Sequence, residues 1–271
     1  MNRKELVEHI FSKKTYLCVG LDSDIDKLPA HLKKLDDPQF EFNKQIIDAT
    51  LDHCVAFKIN TAFYESRGVK GWETLEKTVR YIPKTHFTIA DAKRGDIGNT
   101  STQYAKAFFE TLGFDAITVA PYMGEDSIRP FLDYKDKWTI VLGLTSNSGA
   151  SDFELIKSEN TYLFEEVLKK TASWGNSDNL MFVIGATKHE TVKAIRDVYP
   201  SHFFLVPGVG AQGGSLSEIT HSGINKDCGL LVNVSRAIIF ASTGEDFAVA
   251  ARLSSQQYHE EMSRFLSENA K

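Results

Sequence analysis

The sequence predicts a closed (β/α)8 barrel of the α/β class, organised as one domain over residues 1–271. Three observations carry this prediction. Eight short runs rich in β-branched and apolar residues alternate with segments of helical periodicity. Several of those runs are almost continuous in hydrophobicity, such as Ala116-Ile-Thr-Val-Ala120 and Phe203-Phe-Leu-Val206, as suits parallel strands covered on both faces. The chain's reactive residues fall at the carboxyl ends of the runs, where barrels of this type place their chemistry. An open doubly wound sheet shows the same alternation and is the alternative on pattern alone.

The opening segment, from Met1 to Lys14, mixes acids and bases with apolar positions and reads as an amphipathic helix rather than a signal peptide. The strand runs lie at 15–22, 53–60, 86–93, 116–121, 138–146, 180–187, 203–208 and 230–236. Helical periodicity is clearest over 40–51, 71–82, 100–112, 161–173, 187–198 and 245–268, with a short helix at 215–222. No Pro/Gly/Ser-rich linker, repeat or low-complexity tract points to a second domain.

Composition narrows the function classes. A net charge of −5 with dispersed lysines and arginines offers no basic field for nucleic acid. No stretch reaches the roughly 18 consecutive apolar residues that a membrane-spanning helix needs. Cys18, Cys54 and Cys228 lie in apolar runs without metal-ligand spacing and read as buried free thiols of a cytoplasmic protein.

The most informative stretch is Ile89-Ala-Asp-Ala-Lys-Arg-Gly-Asp-Ile-Gly-Asn-Thr-Ser101. Asp91 and Lys93, two apart in a strand, share one face. Asp96 follows after Gly95, which permits a turn, and Asn99, Thr100 and Ser101 are good helix-capping residues. Lys58, in Ala56-Phe-Lys-Ile-Asn60, stands at matching height on the neighbouring run, in an apolar setting where an unpaired lysine is costly. Asp22 closes the first run. Acids and lysines converging on one barrel mouth suit proton handling; the plainer reading is a set of solvated surface charges.

Two further segments suggest ligand contacts. Pro207-Gly-Val-Gly-Ala-Gln-Gly-Gly-Ser215 holds four glycines and leads into a helix, so its backbone N–H groups suit an anion. Arg236 ends the next run, and a guanidinium there matches phosphate in a bidentate manner. After the fifth run, Thr145-Ser-Asn147 offers uncharged hydrogen-bonding groups for the edge of a heterocycle, or an ordinary turn.

Joined together, the segments Cys18-Val-Gly-Leu-Asp22, Ala56-Phe-Lys-Ile-Asn60, Asp91-Ala-Lys-Arg-Gly-Asp96, Thr145-Ser-Asn147, Pro207-Gly-Val-Gly-Ala-Gln-Gly213 and Val234-Ser-Arg236 resemble the orotidine 5′-phosphate decarboxylase family, in its longer bacterial-type subgroup. The resemblance implies a (β/α)8 barrel acting as a homodimer with shared active sites. The implied substrate is orotidine 5′-monophosphate, and no metal or organic cofactor is implied. It also implies roles for individual residues. Lys93 corresponds to the proton donor to pyrimidine C6, and Asp91 to the carboxylate set against the substrate carboxylate. Lys58 and Asp96 complete the charge network, with Asp96 supplied by the partner subunit. Asp22 and Thr100 correspond to ribose contacts, Thr100 again from the partner. Ser146 or Asn147 takes the pyrimidine contact. Gln212, Gly213 and Arg236 form the phosphate clamp, on a loop shorter than in many members. The competing readings are a metal-dependent phosphosugar decarboxylase or aldolase on the same barrel, and a non-catalytic nucleotide-binding barrel.

Overall fold

The computed structural model describes residues 1–186, 189–210 and 213–269. All eight expected runs form strands: β1 Leu17–Gly20, β2 Ala56–Asn60, β3 Phe87–Arg94, β4 Ala116–Val119, β5 Trp138–Leu144, β6 Leu180–Ile184, β7 Phe203–Pro207 and β8 Leu230–Val234. Each pairs in parallel with its sequence neighbour, and β8 returns to β1, so the sheet closes into a barrel. Closure excludes the open sheet. β1, β4, β6 and β8 are buried at every position. β3 is buried without a break up to Ala90; Asp91 and Lys93, where the charges begin, are more exposed, with Ala92 buried between them.

The helices follow from local chemistry. Arg3–Lys13 opens with a capping box between Asn2 and Glu5 and buries Leu6 and Ile10. Pro38–Thr50 starts on Asp37, which accepts from Phe40 N–H, with Pro38 in the first turn. The long helix Phe247–Asn269 closes the chain across the Pro38–Thr50 helix, where Phe42 stacks on Phe247. Glu125–Leu132, between β4 and β5, is too short, with Pro130 inside it, to stand out by periodicity.

The helix after β3 departs from expectation. It runs Gly98–Ala105 with Ile97 at the cap position, and no side chain of the Asn99–Ser101 trio caps it. Ser101 Oγ instead accepts from Asp96 N–H at 3.1 Å and donates to the Ser127 carbonyl at 2.9 Å. Ser101 thereby ties the loop after β3 to the next helix pair. Gly95 is required for a different reason from the one expected. A Cβ there would lie 2.8 Å from the Ala120 carbonyl oxygen, so the loop passes too close to β4 for any side chain.

Candidate active site

The carboxyl ends of β1, β2 and β3 bring the expected charges together. Register places Gly20 beside Lys58 and Asn60 beside Asp91. Lys58 Nζ lies 2.8 Å from Asp91 Oδ2 and 3.3 Å from Asp22 Oδ1. Lys93 Nζ lies 2.7 Å from Asp91 Oδ1. Backbone bonds fix these positions: Leu21 N–H donates to the Lys58 carbonyl at 2.8 Å, and Thr61 N–H to the Asp91 carbonyl at 3.3 Å.

The two lysines are placed differently. Lys58 is 4% exposed. Burial alone would push its pKa down, yet the carboxylates of Asp22 and Asp91 hold it well above the usual lysine range. Burial would likewise raise Asp91, but the ammonium groups of Lys58 and Lys93 pull it far below the usual carboxylate range. Lys58 and Asp91 are therefore both charged at neutral pH. The Lys93 side chain, half exposed, stands at the rim with its ammonium group on Asp91.

A cavity of about 200 Å³ opens beside this array, lined by Asp22, Lys58, Asp91, Asn233 and Arg236 among others. The Asn233 Oδ1 is buried and has no hydrogen-bond partner among the described residues. Its register between Cys18 and Pro207 puts it deep in the mouth, a position that pattern reading does not single out. A larger concavity, about 780 Å³, lies at the opposite end of the barrel around Arg3. There Arg3 is already engaged by Asp227 at 2.9 Å and the Ser201 carbonyl at 2.7 Å.

The glycine-rich segment after β7 is real but less open than expected. Gly208, Gly210 and Gly213 occupy the left-handed region, as only glycine does readily. Three of the four glycine amides are spent inside the loop: Gly210 on Gly214 O, Gly213 on Gly210 O, and Gly214 on Gly208 O. The expectation of a row of bare amides is corrected to that extent. Gln212 lies outside the described residues. Arg236 is exposed, faces the cavity, and has no ion-pair partner among the described residues.

The remaining expected residues divide. Ser146 packs against Gly185 at the end of β6, where a Cβ on Gly185 would come within 2.9 Å of Ser146 Cβ. Asn147 is exposed, and its Oδ1 accepts from the Thr145 hydroxyl at 2.6 Å. Asp96 Oδ1 accepts from Ile97 N–H at 2.8 Å, and Asp96 forms no ion pair with Lys58 or Lys93 of its own chain among the described residues. Thr100 sits on the first turn of the helix Gly98–Ala105.

A family model described as "Orotidine 5′-phosphate decarboxylase / HUMPS family" matches residues 15–251. The chain belongs to this family. It is 55% identical over 270 residues to a protein of Phocaeicola vulgatus named orotidine 5′-phosphate decarboxylase, covering 98% of this chain and 99% of the relative. A Flavobacterium johnsoniae protein of the same name is 56% identical over 269 residues, with 98% of each chain covered. Among solved structures, the Leishmania donovani OMP decarboxylase superposes with a TM-score of 0.84 at 34% identity, covering 98% of this chain and 99% of that one. Among the described residues no three His, Cys, Asp or Glu side chains gather as a metal-ligand set.

Proposed function

We propose that this mouth converts orotidine 5′-monophosphate to uridine 5′-monophosphate and CO2, with Lys93 stabilising and then protonating a carbanion at C6. The observation that carries the reading is the Lys58–Asp91–Lys93 array, of which Lys58 and Asp91 line a cavity that also holds Arg236. The names of the relatives point the same way.

The chemical difficulty is a carbanion with no adjacent carbonyl or iminium to accept its electron pair. An ammonium group fixed beside C6 stabilises the charge as it develops and then supplies the proton. Asp91 orients that ammonium. With a substrate carboxylate at about 4 Å it also exerts a repulsion of roughly 4 kcal/mol at an effective dielectric of 20, relieved as CO2 leaves. Enzymes lower barriers by about 8–23 kcal/mol, so carbanion stabilisation by Lys93 and binding energy from the remote phosphate carry more of the effect. Arg236 grips the phosphate with Gly213 and Gln212, Asp22 meets the ribose, and Ser146 or Asn147 reads the pyrimidine edge. The buried free thiols Cys18, Cys54 and Cys228 suit a reducing cytoplasm.

A dimer completes the site in this reading, with Asp96 and Thr100 crossing to the partner. Exposed Ile97, Tyr122 and Met123 on the loops after β3 and β4 provide apolar surface for such a contact. An absorbance assay following loss of the orotidylate chromophore tests the activity. Turnover that survives EDTA separates it from the metal-dependent reading, and absence of turnover refutes it. Mixing inactive Asp96→Ala and Lys93→Ala chains should restore up to about a quarter of the sites through hybrid dimers. No recovery after confirmed subunit exchange refutes the shared site.

A further inference from the structure

The pairing of β3 with β4 is interrupted where the chemistry lies. Ala90 pairs with Ile117 and Arg94 with Val119, so Asp91, Ala92 and Lys93 all stand opposite Thr118 alone. This is a bulge, and it ends with Lys93 at φ 49°, in the left-handed region that a lysine rarely occupies. Thr118 is 1% exposed, and its hydroxyl spans the gap. It accepts from Lys93 N–H at 2.9 Å and donates to Asp91 Oδ1 at 3.1 Å. Asp91 Oδ1 is also the atom that holds Lys93 Nζ, at 2.7 Å. One hydroxyl thus touches the backbone of the proposed proton donor and the carboxylate that aims its ammonium.

We propose that Thr118 is a positioning residue for decarboxylation, holding Lys93 in its left-handed conformation and Asp91 in the rotamer that directs the Lys93 ammonium. The inference rests on the reading of Lys93 as the proton donor. No backbone group of β4 serves this purpose, because the ladder bonds resume only at Arg94, whose carbonyl accepts from Ala120 N–H at 2.8 Å. The Thr118 hydroxyl replaces the bonds that the bulge removes. Valine has nearly the same shape and no hydroxyl, so Thr118→Val leaves Lys93 N–H without its acceptor and Asp91 without one of its donors. Serine keeps both.

The experiment compares Thr118→Val and Thr118→Ser with the parent chain in orotidylate turnover, in binding of uridine 5′-monophosphate by calorimetry, and in crystal structures. For Thr118→Val, kcat should fall roughly 10- to 100-fold while KM and nucleotide affinity move less than about 3-fold, since misplacement of a reacting group by about 1 Å costs on that scale. Thr118→Ser should recover kcat to within about 3-fold of the parent. In the crystal, Lys93 of the valine variant should leave the left-handed region. Unchanged kcat in Thr118→Val, unchanged Lys93 geometry, or a serine variant no better than the valine one overturns the proposal. If valine prevents folding, Thr118→Ala is read by the same three measures. A parent chain that binds the nucleotide but does not decarboxylate orotidylate defeats the activity reading instead. The Lys93 geometry in the variant then still decides what Thr118 holds.

Discussion

The two ends of the barrel handle buried charge in opposite ways. At the base, Arg196 is held by backbone carbonyls: Gly223 at 2.7 Å, His202 at 2.6 Å, Gly229 at 2.9 Å and Tyr199 at 3.1 Å, with its guanidinium stacked 3.8 Å over Phe204. At the mouth, Lys58 and Lys93 share one carboxylate, and a cavity adjoins them. Carbonyl dipoles are fixed and closed to a ligand, so Arg196 fastens the turns that precede β7 and β8. Ionised partners at an open rim can be rearranged by a substrate. Charge at the base serves stability, and charge at the mouth serves chemistry.

Substitutions at the two ends put that contrast at risk. The largest effect is expected for Lys93→Ala, which should lower kcat by about 10⁴-fold or more while leaving thermal stability and binding of uridine 5′-monophosphate near the parent values. Near-normal turnover would break the contrast at the mouth. Arg196→Met should do the reverse. It leaves the Gly223 and His202 carbonyls without a donor, while Gly229 and Tyr199 keep backbone N–H donors from Phe204 and His202, costing about 3 kcal/mol of stability by urea denaturation, with kcat per folded molecule preserved. A variant of undiminished stability and reduced kcat would erase the distinction.

Arg236→Ala sharpens the contrast within the mouth. Nucleotide binding should weaken by about 100-fold while uridine binding stays unchanged, as calorimetry with both ligands would reveal. Equal losses would argue against a phosphate contact. The smallest effect belongs to the base. Burial pushes the His86 pKa down to about 4, with the Leu51 carbonyl opposing and Lys13 assisting that shift. The unfolded side chain titrates near 6.5, so below that pH the unfolded state takes up a proton that the folded state refuses. Stability should fall by about 2 kcal/mol as pH drops from 6.5 to 4 and stop falling on this account below it. Denaturation at about pH 7 and about pH 5 would measure this, and His86→Gln should remove its share of the dependence while leaving that of His202, which burial likewise pushes down to about 4.

Much of this was legible in the chain, and the reasons differ by element. The strands announce themselves because a wall buried on both faces needs unbroken runs such as Leu230–Val234. Asp22, Lys58, Asp91 and Lys93 were legible because each closes such a run, and closure of the barrel then forces them together. The bulge was not legible. A spacing of two predicts that Asp91 and Lys93 meet across a regular pleat, and they do meet, but through a left-handed lysine and three residues facing one. Thr118 and Asn233 lie inside apolar strands, and a threonine or asparagine there carries no mark of its function until the neighbouring strand is in place. The glycine segment was readable in its freedom of φ but not in how many of its amides would bond to one another.

The three-against-one mismatch between β3 and β4 also sets a limit on how far this barrel can be idealised. Deleting two of the three residues that face Thr118 would restore a one-to-one ladder, and at most one of Asp91 and Lys93 would remain. Shortening the strand by two residues would tidy the sheet and relieve the left-handed lysine, and the product would be a sturdier cylinder with no reaction to run. The irregularity carries both members of the ion pair opposite a single threonine.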